Sequence, residues 1–220
     1  MKKILSLLLI TAMLAAMFAA CGKTDKPDNT DGTSGTDGTT VTTQKPEEIK
    51  KNPDYTPEAL MSKMVETLGG KNPAEEGEFG SLTIGENEML VTGPKHFSIS
   101  NKNEGKYYSG IEASASLVED DAVYNDSVVR GGSPYSFVIV KLKDAKNGDT
   151  LKEEMKDGVN MRRWVCRNAD YLITVNNGNY LLLVMGSKDA CEKTADAFDS
   201  VLEEKSGTRL VKEYGEDLDW

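Results

Sequence analysis

The chain has 220 residues, 36 Asp and Glu against 26 Lys and Arg, and a formal net charge of −10. This balance argues against nucleic acid as a partner, because phosphates require a basic face, and equally against charge-driven docking on anionic lipid. The single histidine, His96, excludes any site that needs two His ligands and leaves at most one His-based catalytic site.

Lys2 and Lys3 make a short basic start, residues 4–16 are nearly all apolar, and Ala19 and Ala20 are small. Together they describe a secretory signal over residues 1–20. The apolar stretch is short against the ~20 residues of a membrane span, so an uncleaved membrane helix is the weaker reading. Phe18-Ala19-Ala20-Cys21 resembles the lipobox of bacterial lipoproteins. In that family the cysteine thiol takes a diacylglyceryl group, and cleavage makes the cysteine the new N-terminus. The family usually carries Leu where this chain has Phe18. The resemblance implies palmitate-type acyl chains on Cys21 and a protein held on the extracytoplasmic face of the cell membrane. One acyl chain holds only marginally, at ~0.8 kcal/mol per buried CH₂, whereas the two chains of a diacylglyceryl group hold stably.

Residues 21–55 read as the lipidated cysteine and a tether. Thr, Gly, Asp and Lys dominate, and Thr30-Asp31-Gly32-Thr33 is echoed by Thr36-Asp37-Gly38-Thr39. Such a segment buries too little surface to offset its ordering entropy. As a flexible coil it spans roughly 30–35 Å. A calcium loop fails on spacing, because counting back from Gly32 puts Pro27 where the first Asp of an EF-hand stands.

Residues 56–205 read as one folded domain. Thr56 caps a helix, Pro57 suits its first position and Glu58 its positive end. Leu60, Met61, Met64, Val65 and Leu68 form its apolar face, and Gly69-Gly70 stops it. A hairpin follows, with Gly85-Glu86-Asn87 between Ser81-Leu82-Thr83-Ile84 and Met89-Leu90-Val91. Phe97 and Ile99 alternate in a short strand. His96 precedes that strand as a solvent-facing or locally bonded residue. Glu119-Asp120-Asp121 reads as a solvated turn, since three adjacent acids point in different directions and make a poor metal site.

Phe137-Val138-Ile139-Val140 is apolar without alternation, the mark of a central strand buried on both faces. Asp149 is predicted to cap a helix running to about Arg163, with Leu151, Met155, Val159 and Arg162 along one side. Gly158 weakens that helix by up to ~1 kcal/mol relative to Ala. Arg162-Arg163 reads as a solvated helix end in preference to an anion clamp. Asn177-Gly178 predicts a two-residue hairpin turn with Asn176 opposite Asn179. Tyr171, Ile173 and Val175 then share one face with Tyr180, Leu182 and Val184, and Leu172, Thr174, Leu181 and Leu183 share the other. Both faces need cover. A helix capped by Ser187, with Cys191, Ala195, Phe198, Val201 and Leu202 as its stripe, supplies one. The segment up to Val91, or a partner protein, supplies the second. Residues 206–220 read as an acidic, loose tail. Export permits a disulfide between Cys166 and Cys191, and the alternative is two buried thiols, which the position of Cys191 on its helix stripe favours. The elements add up to an α+β class: an antiparallel sheet with helices packed on one face.

Residues 137–144, the helix ending at Arg162-Arg163 and the Gly178-Asn179-Tyr180-Leu181-Leu182 hairpin resemble an uncharacterised (DUF4358-like) domain of small lipoproteins in Gram-positive anaerobes. Tyr107-Tyr108-Ser109-Gly110-Ile111 matches its upstream motif. The resemblance implies a lipid-anchored domain and carries no catalytic residues, cofactor or metal. Three functions remain in play. The first is a non-catalytic binding or accessory module for an unknown protein or envelope ligand. The second is an envelope hydrolase with carboxylates gathered by the fold, although neither G-x-S-x-G nor S-x-x-K occurs. The third is a structural surface protein that homo-oligomerises through the apolar second face of its sheet.

Overall fold

A computed structural model describes residues 53–85, 87–128 and 134–215. Helix α1 (Pro57–Thr67) starts where the cap predicts: the Thr56 hydroxyl accepts from the Ala59 N–H at 3.1 Å, and Pro57 fills the first turn. Gly69, at φ +70°, turns the chain out of it. Strands β1 (Gly80–Ile84) and β2 (Asn87–Val91) form a separate two-stranded sheet. Strand β3 (Lys95–Ser98) is followed by a single turn, α2 (Lys102–Glu104), which runs into a π-helical turn, Gly105–Ser109. Then come β4 (Asp121–Asp126), β5 (Ser136–Lys141), α3 (Gly148–Gly158), β6 (Tyr171–Asn177), β7 (Tyr180–Gly186), α4 (Lys188–Leu202) and β8 (Leu210–Glu213). The main sheet is antiparallel throughout, in the order β3-β4-β5-β7-β6-β8. The α+β class holds, and the unbroken apolar run of β5 lies at the centre of the sheet, between β4 and β7.

The one-sided placement of helices does not hold. α1, α4 and the β1–β2 hairpin cover the face carrying Phe137, Ile139, Ile173, Val175, Leu182 and Val184. α3 and residues around the π-turn cover the face carrying Val138, Val140, Leu172, Leu181 and Leu183. The reason is the two-sided apolarity of β5, β6 and β7: each bare face would cost about 25 cal/mol for every Å² left in water. The segment up to Val91 therefore joins α4 instead of opposing it, and the apolar second face is already occupied within the chain.

Four local details also depart from the sequence reading. The α3 helix stops at Gly158, not near Arg163, because Gly158 abuts Gly110: a Cβ on Gly158 would stand 2.1 Å from the Gly110 carbonyl oxygen. Asp149 does not cap that helix; Asp144 caps the short 3₁₀ turn before it, and Asp149 instead pairs with buried Lys152 at 2.9 Å. In the β6–β7 hairpin Asn177 faces Tyr180, so Gly178-Asn179 forms the loop, with the positive φ on Gly178. That matches a turn with Gly first. The shift in register is two residues, which leaves every side chain on its expected face. Finally, part of the expected loose tail, Leu210–Glu213, is the edge strand β8.

Candidate functional site: the Arg163 cluster

Asp126 and Ser136 are partners across β4 and β5, on the face that also carries Tyr124 and Val138. The π-turn lays Tyr107 and Tyr108 over that face, and the loop after α3 brings Arg163 back onto it. The Arg163 Nη2 donates to Asp126 Oδ1 at 2.5 Å and to the Ser136 hydroxyl, and its Nη1 donates to the Tyr107 carbonyl at 3.4 Å. Its guanidinium lies over the rings of Trp164 (5.0 Å), Tyr107 (5.5 Å) and Tyr108 (5.7 Å). Tyr108 stacks on Tyr124 at 4.0 Å, the Tyr108 hydroxyl donates to that of Tyr124 at 3.2 Å, and Phe97 lies 5.0 Å from Tyr108.

The Arg163 side chain is 1% exposed, and its Nε is buried without a partner among the described residues. Burial holds the Asp126 carboxyl above the usual carboxylate range, against the pull of Arg163 and Ser136. Burial and the Tyr108 hydrogen bond push the Tyr124 phenol up as well. Arg163 is therefore no solvated helix end. It does clamp an anion, but the anion is the protein's own Asp126. Chemically the cluster is a closed brace whose outward surface is the half-exposed Tyr107 ring and part of Trp164. Sequence reading missed Asp126 and Ser136, which lie 37 and 27 residues from Arg163. Tyr107-Tyr108 and Arg162-Arg163 both stand out in the sequence, but as separate motifs, and nothing local to either joins them or points to Asp126 and Ser136.

The other singled-out residues go elsewhere. His96 lies inside β3, exposed, with Nδ1 2.7 Å from Asp121 Oδ1 and Nε2 3.5 Å from Glu58 Oε2. The hydrogen bond to Asp121 raises its pKa above 6.5, while partial burial opposes the rise. The three adjacent acids diverge: Glu119 lies 3.9 Å from Lys141, Asp120 accepts from the Ser98 hydroxyl and the Ser100 N–H, and Asp121 meets His96. Among the described residues no three His, Cys, Asp or Glu side chains are placed to hold a metal. Cys191 is buried on the α4 stripe, and burial pushes its thiol up. Cys166 is exposed, at φ +61°. The two are unbonded, so the disulfide is absent and the buried-thiol reading is right for one of them only; Cys166 falls in the loop between α3 and β6, which no helix covers. Cys21 and residues 22–52 of the expected tether lie outside the described residues, whereas its last three residues, 53–55, are described, and Asp54 and Tyr55 are held by Lys141 and Tyr180, so the fold takes in the end of the expected tether.

The chain enters the fold at one end of the sheet. The Tyr180 hydroxyl accepts from the Tyr55 N–H at 2.7 Å and donates to the Tyr55 carbonyl at 2.8 Å, while Lys141 pairs with Asp54 at 2.8 Å. Tyr180 and Lys141 are partners at one end of β7 and β5. Asp126, Ser136 and Gly186 lie at the other, about 20 Å away for strands of this length. Five large apolar side chains are exposed among the described residues, and four of them gather toward that far end. Tyr107 and Val165 flank Arg163. Leu90 and Phe79 belong to the hairpin stretch that bridges Ser127, just past Asp126.

No family model, no curated protein and no solved structure matches this chain. No helix among the described residues is long and apolar enough to cross a membrane.

Proposed function

We propose that this protein is a lipid-anchored module on the extracytoplasmic face of the cell membrane, whose folded domain binds a protein or envelope ligand without catalysing a reaction. The lipobox-like Phe18-Ala19-Ala20-Cys21 and the likeness to the uncharacterised lipoprotein domain motivate the anchor. The observation that carries the binding role is the polarity of the fold. The chain arrives at the Lys141–Tyr180 end, while Phe79, Leu90, Tyr107 and Val165 are exposed toward the opposite end. A tether attached at the first end leaves the second free to face outward. Contiguous exposed apolar patches mark contact surfaces, and these four side chains are the candidates to contribute to one.

The test is site-specific photocrosslinking in intact cells. A photoreactive side chain at Val165 or Tyr107 is expected to give a discrete adduct, whereas the same group at Asp144, near the other end, gives none. Equal labelling at all three positions, or no adduct at any, defeats the proposal.

A further inference from the structure

We propose that the partner at the exposed end of the main sheet is a second copy of this chain, docked about a two-fold axis so that the Glu75–Phe79 stretch of each copy meets the Arg162–Arg167 loop of the other. The inference rests on the reading of that end as a contact surface. Two segments there combine exposed apolar side chains with opposite charge. Residues 72–94 contain five Glu and no Lys or Arg, whereas residues 159–169 contain three Arg and no Asp or Glu. In the first, Glu75, Glu76, Glu78 and Glu88 are exposed together with Phe79 and Leu90. In the second, Arg162 and Arg167 are exposed and Val165 is 91% exposed, with the half-exposed Tyr107 ring alongside, over Arg163.

The neighbouring charges do not erase the contrast. Lys71 and Lys95 flank the acidic stretch without balancing its four exposed carboxylates. At the basic loop Arg163 is neutralised by Asp126, and Arg167 and Lys212 already have partners within the chain. Asp170 and Glu213 flank that loop, but so do Lys188 and Lys212, and it stays net positive. The two segments lie side by side across the strand ends. Val91 of the hairpin bridges Ser127, Ser127 bonds Tyr135, and Cys166 and Arg167 line one hollow with Pro134, Asp170 and Gly186. The register from β2 to the start of β6 spans four strand spacings, about 20 Å. In a two-fold dimer residue i meets residue j and j meets i, so an axis midway between the segments forms the same acid-to-base contact twice. Apolar side chains meet apolar side chains at each contact, and the charges around them fix the register.

The experiment uses the full-length chain in its membrane, with a photoreactive side chain at Val165 and two copies distinguished by tags of different length. The expected adduct joins two copies and maps by mass spectrometry to residues 75–90 of the other copy. Glu76→Lys with Glu78→Lys in both copies is expected to cut the yield at least about tenfold, and so is Arg162→Glu in both copies, because like charges then face each other. Mixing one copy of each kind is expected to restore it, since a two-fold pair then has opposite charges at both contacts. Where thermal unfolding shows a reversed-charge copy to be destabilised, Glu78→Gln or Arg162→Gln replaces it, and the yield is expected to fall about threefold. An adduct with a different protein and none between copies overturns this inference and leaves that end a contact surface, whereas no adduct at all overturns both. An adduct between copies that maps back to residues 159–169, that neither variant weakens, or that the mixture does not restore also overturns the inference.

Discussion

Arg163 shows what one side chain does when it is carried into a protein interior with its charge. Its guanidinium has lost water on every side and meets Asp126, Ser136 and the Tyr107 carbonyl. Removing one member of such a buried pair strands the other, which costs about 3–5 kcal/mol. Arg163→Ala and Asp126→Ala are each expected to lose that much in urea unfolding, with the double variant well short of the sum. Additive losses below about 1 kcal/mol would show that the pair is not coupled. His96 is the contrasting case, half exposed and hydrogen-bonded to Asp121, with Glu58 of the first turn of α1 close by. Its folded pKa is raised, so its contribution to stability is fully present below the unfolded value near 6.5 and is lost as pH rises through the folded value. An NMR titration of the imidazole is expected to give a midpoint above 6.5 that falls in Asp121→Asn. A midpoint unchanged by that substitution refutes the assignment to Asp121.

At the scale of elements, α3 decides how the second face is closed. Its Glu154 carboxylate accepts from the N–H groups of Glu112, Ala113 and Ser114 at 2.7, 2.7 and 3.2 Å. Burial pushes that carboxyl up, yet the hydrogen bonds outweigh it and hold it below its ordinary range. Lys152 of the same helix donates to the Thr208 carbonyl at 3.0 Å, fastening the approach to β8. Gly158 then ends the helix against Gly110 of the π-turn. By helix propensity alone, Gly158→Ala stabilises by up to ~1 kcal/mol. The close approach reverses that sign: with the Gly110 oxygen 2.1 Å from the new Cβ, one backbone must move. Thermal unfolding of Gly158→Ala is thus expected at a lower temperature than wild type, and a higher one would show that the contact yields without cost. The sequence announced the helix, its apolar side and its glycine. It did not announce the partner of that glycine, because Gly110 is 48 positions away and neither residue has a side chain to leave a pattern.

Within the described domain, the chain arrives at one end of the main sheet and exposed apolar side chains lie toward the other. The function proposed for that arrangement depends on the anchor, so Cys21 is the residue to change. Cys21→Ser is expected to leave the protein without acyl chains and either uncleaved or released from the membrane fraction. Membrane retention together with an unchanged mass in the variant would remove the anchor from the proposal. The homo-oligomer idea loses its original surface at this scale, because α3 covers the face it required.

Short-range chemistry was readable from the sequence alone. The Thr56 and Ser187 caps, the stop at Gly69, the two hairpins, the central strand and the facial alternation of β6 and β7 all depend on residues a few positions apart. Tertiary structure alone decided which helix covers which face, that Cys166 is exposed and unbonded to Cys191, and that Arg163 reaches Asp126 and Ser136. Those outcomes depend on burial and charge pairing between segments tens of residues apart. Periodicity and turn chemistry act over a single turn or strand pair, and so carry no record of which distant segment an apolar face or a charge will meet.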